Sequence, residues 1–167
     1  MIKQSGRFHS GFTLIELIIV IIILGVLAVT AAPKFVDMQR EAKLAALKGA
    51  KAAFATANQL VHTKALIQGQ QKVDATTANI DTDNNGSNDV IGYYGLIKFV
   101  VSARLLTGLG DDFTLTKHYG GTGPTLPHFV IAFGQTPASA TNQCFLAIYY
   151  PSVAGGSVSY QYVTDDC

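Results

Sequence analysis

The stretch from Phe12 to Ala32 limits what this chain can fold into more than any other. Apart from Thr13, Glu16 and Thr30, each of its residues is apolar or glycine. A helix of about 21 residues rises about 30 Å, the thickness of a bilayer's hydrocarbon core. The run can therefore cross a membrane. Lys3 and Arg7 precede it with no acidic residue among them, which sets the N-terminus on the cytoplasmic side. Lys34, Arg40 and Lys43 follow on the other side, so charge alone biases the orientation only weakly.

An ordinary secretory signal would also show a basic start, an apolar core and a small-residue cleavage site, here after Ala32. Two residues speak against that reading. Pro33 would be a poor first residue for a processed chain, and Glu16 stands four positions into the apolar run. A carboxylate at the centre of a membrane helix costs about 2.5–3.5 kcal/mol on insertion scales, and somewhat less near its end. A segment that needed only to be apolar would not carry it, whereas a segment that must find a charge partner would.

Gly11-Phe12-Thr13-Leu14-Ile15-Glu16, after a short basic leader and before a spanning run, resembles the cleavage and methylation motif of type IV pilins and type II secretion pseudopilins. The resemblance implies that a prepilin peptidase cuts between Gly11 and Phe12 and methylates the new Phe12 amine. It further implies that Glu16 pairs with the terminal amine of a neighbouring subunit during assembly. Two opposite charges in an apolar fibre core are tolerated only if they meet. Phe12 and Glu16 are also one helical turn apart, so an intrachain pair stays open. Phe113-Thr114-Leu115 repeats three letters of the motif, but Asp112 precedes it and no apolar run follows, so that copy reads as a loop or strand fragment.

Pro33 falls where type IV pilins commonly carry a proline that kinks or locally melts the first helix; a proline removes one helical hydrogen bond and crowds the preceding turn. From Lys34 the pattern turns amphipathic. Leu47, Ala50, Phe54, Ala57 and Val61 recur at spacings of three and four, with Ala46, Ala53 and Leu60 beside them. Alanine-rich composition favours helix, and Gly69 offers a stop. The stripe reads as the face that packs on a globular head. The division expected is a leader over 1–11, a membrane or filament-core helix over 12–32, an amphipathic half over 33–69 and a head over 70–167.

The head reads as α+β. Residues 70–90 are polar and turn-rich, a short helix is expected around Leu96 to Leu106, and 107–127 reads as irregular with at most one short strand. Strands are expected over 129–133, 144–150 and 157–163, forming an antiparallel meander on the amphipathic helix. Type IV pilins share this plan of a long N-terminal helix against a small antiparallel sheet. Cys144 and Cys167, the chain's two cysteines, sit where that family has its C-terminal disulfide. An even cysteine count beside an export signal favours the same bond. Closing a loop of about 24 residues stabilises on the order of 3 kcal/mol by the chain-entropy model.

One polar segment has a pattern of its own. Asp81, Asp83, Asn85, Ser87 and Asp89 place oxygen atoms as in a D-x-D-x-N-G-x-x-D calcium loop, with Gly86 at the sharp turn. Gly92 stands where an EF-hand has its bidentate glutamate, so the loop is closer to the shorter calcium loops of extracellular modules. A solvated turn rich in Asp and Asn is the alternative. Calcium would be structural, and no cofactor is required.

Net charge is +1, which provides no footprint for nucleic acid. His62, His118 and His128 show no triad or metal-ligand spacing, and an enzyme is not expected. The stretch Leu24 to Phe35 most resembles the mannose-sensitive haemagglutinin (MSHA) pilins. That resemblance implies a precursor in the inner membrane with its head in the periplasm. It then implies a homopolymer, raised by inner-membrane assembly machinery into an extracellular pilus for attachment and biofilm formation. A type II secretion pseudopilin is the rival reading, and a signal-anchored binding module that never polymerises is the third.

Overall fold

The computed structural model describes residues 13–117, 128–134, 136–139 and 141–167. The chain divides into two compact units, Met1–Gln39 and Arg40–Cys167. One helix, α1 (Leu14–Ile67), contributes to both. It contains Pro33 and continues through it. Of the kink or local melting expected there, the melting is absent: proline removes one N–H, but its fixed φ still suits a helix.

In the first unit, every large apolar side chain from Leu14 to Val29 is exposed, from 41% at Ile18 to 76% at Val29. An 18-residue window of α1 near the N-terminus reaches a mean hydropathy of 3.0, long and apolar enough to cross a membrane. Large contiguous apolar surfaces are rare on soluble monomers, so this one needs a cover of lipid or protein.

In the second unit α1 buries a stripe. Leu47, Ala50, Phe54, Ala57, Val61 and Ala65 are at most 4% exposed, and five of these six lie at the expected positions. The helix ends as the sequence suggests. Gly69 takes φ +70°, Gln70 N–H donates to Ala65 O at 2.7 Å, and Gly69 N–H donates to Leu66 O. These bonds satisfy the last carbonyls in a Schellman-type stop.

The chain then forms a small hairpin, β1 (Gly92–Tyr93) and β2 (Leu96–Ile97), followed by α2 (Val100–Thr107). The short helix expected from Leu96 thus starts later. Leu96 and Ile97 pair instead with Tyr93 and Gly92, across a two-residue turn in which Tyr94 and Gly95 take φ +49° and +79°. Such a turn matches strand twist but suits glycine far better than tyrosine. At Gly95 there is a second reason, since an added Cβ would lie 2.9 Å from His62 Nδ1 and 3.2 Å from Gln71 Cα.

Four strands complete the unit: β3 (Phe113–Lys117), β4 (Phe129–Phe133), β5 (Cys144–Tyr149) and β6 (Ser159–Thr164). They pair antiparallel in the order β3-β4-β5-β6, a meander in which the one short strand allowed for in 107–127 joins the three expected. β3 is the segment that repeats the Phe-Thr-Leu letters, and its alternation of apolar and Thr residues suits a half-buried edge. Phe129 and Ile131 of β4, with Leu146 and Ile148 of β5, join the α1 stripe in one core, where Phe54 meets Phe129 edge-on at 5.3 Å. The fold is α+β, with a long helix packed on a small antiparallel sheet.

Two polar groups lie inside this core. Asn58 Oδ1 accepts from Ile97 N–H and from the Tyr150 hydroxyl, both at 3.0 Å. It thereby ties α1 to the hairpin and to the end of β5. His128 is 5% exposed and stacks on Tyr150 at 4.5 Å, with Tyr93 5.3 Å away. Burial first, then Lys117, lower its pKa to about 4; Lys98 contributes a favourable backbone hydrogen bond and an opposing charge, and Asp74 weakly favours the cation. Between an unfolded value of about 6.5 and the folded value of about 4, the unfolded chain binds the extra proton. This contribution is fully present above about pH 6.5 and is lost as pH falls toward 4, on the order of 2–3 kcal/mol in all. Urea melts of the wild type and of His128→Phe across that range should show the wild type's slope flattened in the variant; equal slopes would remove His128 as the cause.

Candidate functional site

Gly11 and Phe12, the expected cleavage point, lie outside the described residues. Immediately after them, Thr13 and Glu16 form a closed set of hydrogen bonds. Thr13 N–H donates to Glu16 Oε2 at 2.9 Å, Thr13 Oγ1 donates to the same oxygen at 2.8 Å, and Glu16 N–H donates to Thr13 Oγ1 at 3.3 Å. This is a capping box, in which the first residue and the fourth satisfy each other's otherwise orphaned backbone donors. Sequence reasoning singled out Glu16 but passed over Thr13. The signal was available, since T-x-x-E before an apolar run is the pattern of such a box.

Further along the apolar run, Thr30 turns its hydroxyl back onto the helix and donates to Leu27 O at 3.0 Å. Its polar group is thus spent internally, as an intramembrane hydroxyl requires. Three residues on, Pro33 has no N–H to offer the Val29 carbonyl.

The loop over residues 81–89 sits against the C-terminal end of α1. Gln68 donates to Asp81 O at 2.7 Å and accepts from Asp81 N–H, while Lys64 Nζ donates to Asn84 Oδ1 at 2.8 Å. Asp81, Asp83 and Asp89 each place a carboxylate oxygen within 4.8 Å of the others. Of the other two expected ligands, Asn85 spends its amide locally, donating to Asp83 Oδ2 and accepting from Ser87 N–H. Asp81 accepts the N–H groups of Asn84 at 2.7 Å and Gly86 at 2.9 Å, and Asp89 takes both donors of Thr82. Burial works to raise the Asp81 pKa, but the Gly86 and Asn84 amides, helped by Asp83 and Asn85, outweigh it and hold the carboxyl below its usual value. Three oxygen donors around one point suit a hard cation such as calcium better than a soft metal. An open groove of about 460 Å³ lies beside the loop, and the amides of Gln68 and Asn79 that wall it are spent on neighbouring groups.

Cys144 and Cys167 are joined in a disulfide, closing the end of the chain back onto β5. Of the three histidines weighed as catalysts, His62 lies on α1, His128 lies in the aromatic core, and His118 falls outside the described residues. Alanine at Asp81 should speed amide hydrogen exchange at Asn84 and Gly86 while β4 and β5 keep their protection; unchanged exchange would mean that this carboxylate does not hold the loop.

Residues 6–32 match the model of the prokaryotic N-terminal methylation motif. No curated protein and no solved structure gives a significant match to the chain. The matched motif is the N-terminal signal of type IV pilin-like and pseudopilin precursors; it takes in the start of an apolar helix long enough to cross a membrane, and a helix-on-sheet head consistent with the pilin plan follows.

Proposed function

We propose that this chain is the structural subunit of a type IV pilus of the MSHA kind. It waits in the inner membrane with its N-terminus in the cytoplasm and its head in the periplasm, then polymerises into a surface fibre for attachment and biofilm formation. The observation that carries the reading is the apolar start of α1, Leu14 to Ala32, whose large side chains are all exposed and which is broken only by Glu16 and Thr30. Lipid covers that surface before assembly, and the same helices of neighbouring copies cover it afterwards. Prepilin peptidase acts between Gly11 and Phe12 and methylates Phe12, and inner-membrane machinery extracts the cut subunit. Glu16 then meets the Phe12 amine of another copy, and Pro33 marks where the spanning part of the helix ends.

The disulfide fits a head that matures in an oxidising compartment and then faces the outside of the cell. The loop of Asp81, Asp83, Asn85, Ser87 and Asp89 enters as a structural calcium site, with three carboxylates and the neighbouring oxygens supplying part of the six to eight ligands calcium takes. Calcium at a hundredfold over its dissociation constant would stabilise the head by about 2.7 kcal/mol. Thermal melts with calcium and with chelator should therefore differ by several degrees, and coincident melts would remove the ion.

Sheared surface fibres, labelled with antibody to the head and sequenced from the N-terminus, should begin at methylated Phe12. Glu16→Ala should abolish them. A chain beginning at Pro33 would end the reading, and intact fibres with blocked exoprotein secretion in a deletion strain would transfer it to the pseudopilus.

A further inference from the structure

We infer that Asn85 is a covalent modification site held shut by its own loop: the carboxamide closes onto Gly86 N once Asp81 lets go of that N–H. The chain has six asparagines, and only Asn85 is followed by glycine. The turn itself calls for that glycine, since Gly86 takes φ +87°. A Cβ added there would meet nothing within 4 Å beyond its chain neighbours, and both residues are exposed. Bulk therefore does not shield the Gly86 nitrogen, and water reaches the pair.

The reaction is a ring closure. Gly86 N attacks Asn85 Cγ, the N–Cγ bond forms, the Cγ–Nδ2 bond breaks, and Nδ2 leaves as ammonia with the Gly86 proton. Water then opens the succinimide at either carbonyl, leaving aspartate or isoaspartate. Each product puts a fourth carboxylate beside Asp81, Asp83 and Asp89, whose oxygens already lie within 4.8 Å of one another.

The loop opposes each requirement of that step. The attacking nitrogen must lose its proton, and Asp81 Oδ2 holds that N–H at 2.9 Å. Negative charge developing on the nitrogen would face the three carboxylates, which like charge disfavours. The carboxamide must turn face-on to the nitrogen, yet its oxygen accepts from Ser87 N–H at 2.8 Å and its Nδ2 donates to Asp83 Oδ2 at 2.9 Å. Turning it gives up both bonds. Hydrogen bonds rather than bulk thus keep the pair from reacting, and an opened loop frees it. None of this depends on whether the chain forms fibres or the loop holds calcium.

The full chain in detergent, with chelator at neutral pH, is incubated natively and in urea, and conversion at each asparagine is followed by peptide mapping. In urea Asn85 should convert faster than the other five asparagines, with isoaspartate among its products, and equally fast in wild type and Asp81→Ala. In the native wild type it should convert about tenfold more slowly or slower still, the rate equivalent of one hydrogen bond to a charged group. Native Asp81→Ala should recover most of that factor. Equal native and urea rates in the wild type, another asparagine converting first in urea, the absence of isoaspartate, or a folded Asp81→Ala no faster than the wild type each overturns the inference. Protection of the β4 and β5 amides from exchange shows whether the variant head is folded; if it is not, the two wild-type rates decide.

Discussion

The docking of α1 against the sheet is the contact on which the rest of this molecule depends. Phe54 and Val61 of α1, with Phe129, Ile131, Leu146 and Ile148 of the sheet, are fully buried, and each such side chain contributes about 1.5–3 kcal/mol when removed from water. A sheet of four short strands has one face to hide, and the helix hides it. Without that face α1 would have nothing to hold its second half, and the disulfide would close a loop around no core. The helix meets two different solvents along its length. Where its apolar residues form a stripe it finds a sheet, and where they cover every side it finds none.

Within that core the polar contacts decide where the connecting segments lie. Asn58 provides one acceptor to two donors, Ile97 N–H and the Tyr150 hydroxyl, drawn from segments far apart in sequence. The hairpin of β1 and β2 is thereby held to the helix beside the aromatic stack of His128, Tyr150 and Tyr93. Lys98 adds an ion pair to Asp74 at 2.6 Å, fastening the segment that leaves α1 to the residue just after the hairpin. The acidic loop is anchored likewise, through Gln68 and Lys64 at the end of the helix. The head is therefore a helix with its loops tied back to it, and the most polar loop lies at the helix's C-terminal end.

Much of this could be read from the residues. The stripe of Leu47, Ala50, Phe54, Ala57 and Val61 follows from spacing alone, as do the stop at Gly69 and the strands over 129–133 and 144–149. The start of α2 did not follow, because Tyr94 in a left-handed turn defies its own preference and is allowed only by contacts made elsewhere. β3 was legible as a fragment, but its partner β4 lies across a glycine-rich stretch with no periodic signal. At the N-terminal site Glu16 announced itself by cost, whereas Thr13 looked like one more small residue in the run. The partners of Asn58 depend on three-dimensional neighbours and leave no trace in local spacing.

The passage of α1 through Pro33 has a mechanical side. The helix continues through that residue, yet the ladder of hydrogen bonds is one rung short at the Val29 carbonyl, close to where Thr30 has turned its hydroxyl back onto the helix. Under tension, a rod with a missing rung lengthens first at that place. In a fibre whose subunits share their load through such helices, extension would begin at the end of the apolar segment, about four turns before Leu47, where the helix first buries a side chain in the head.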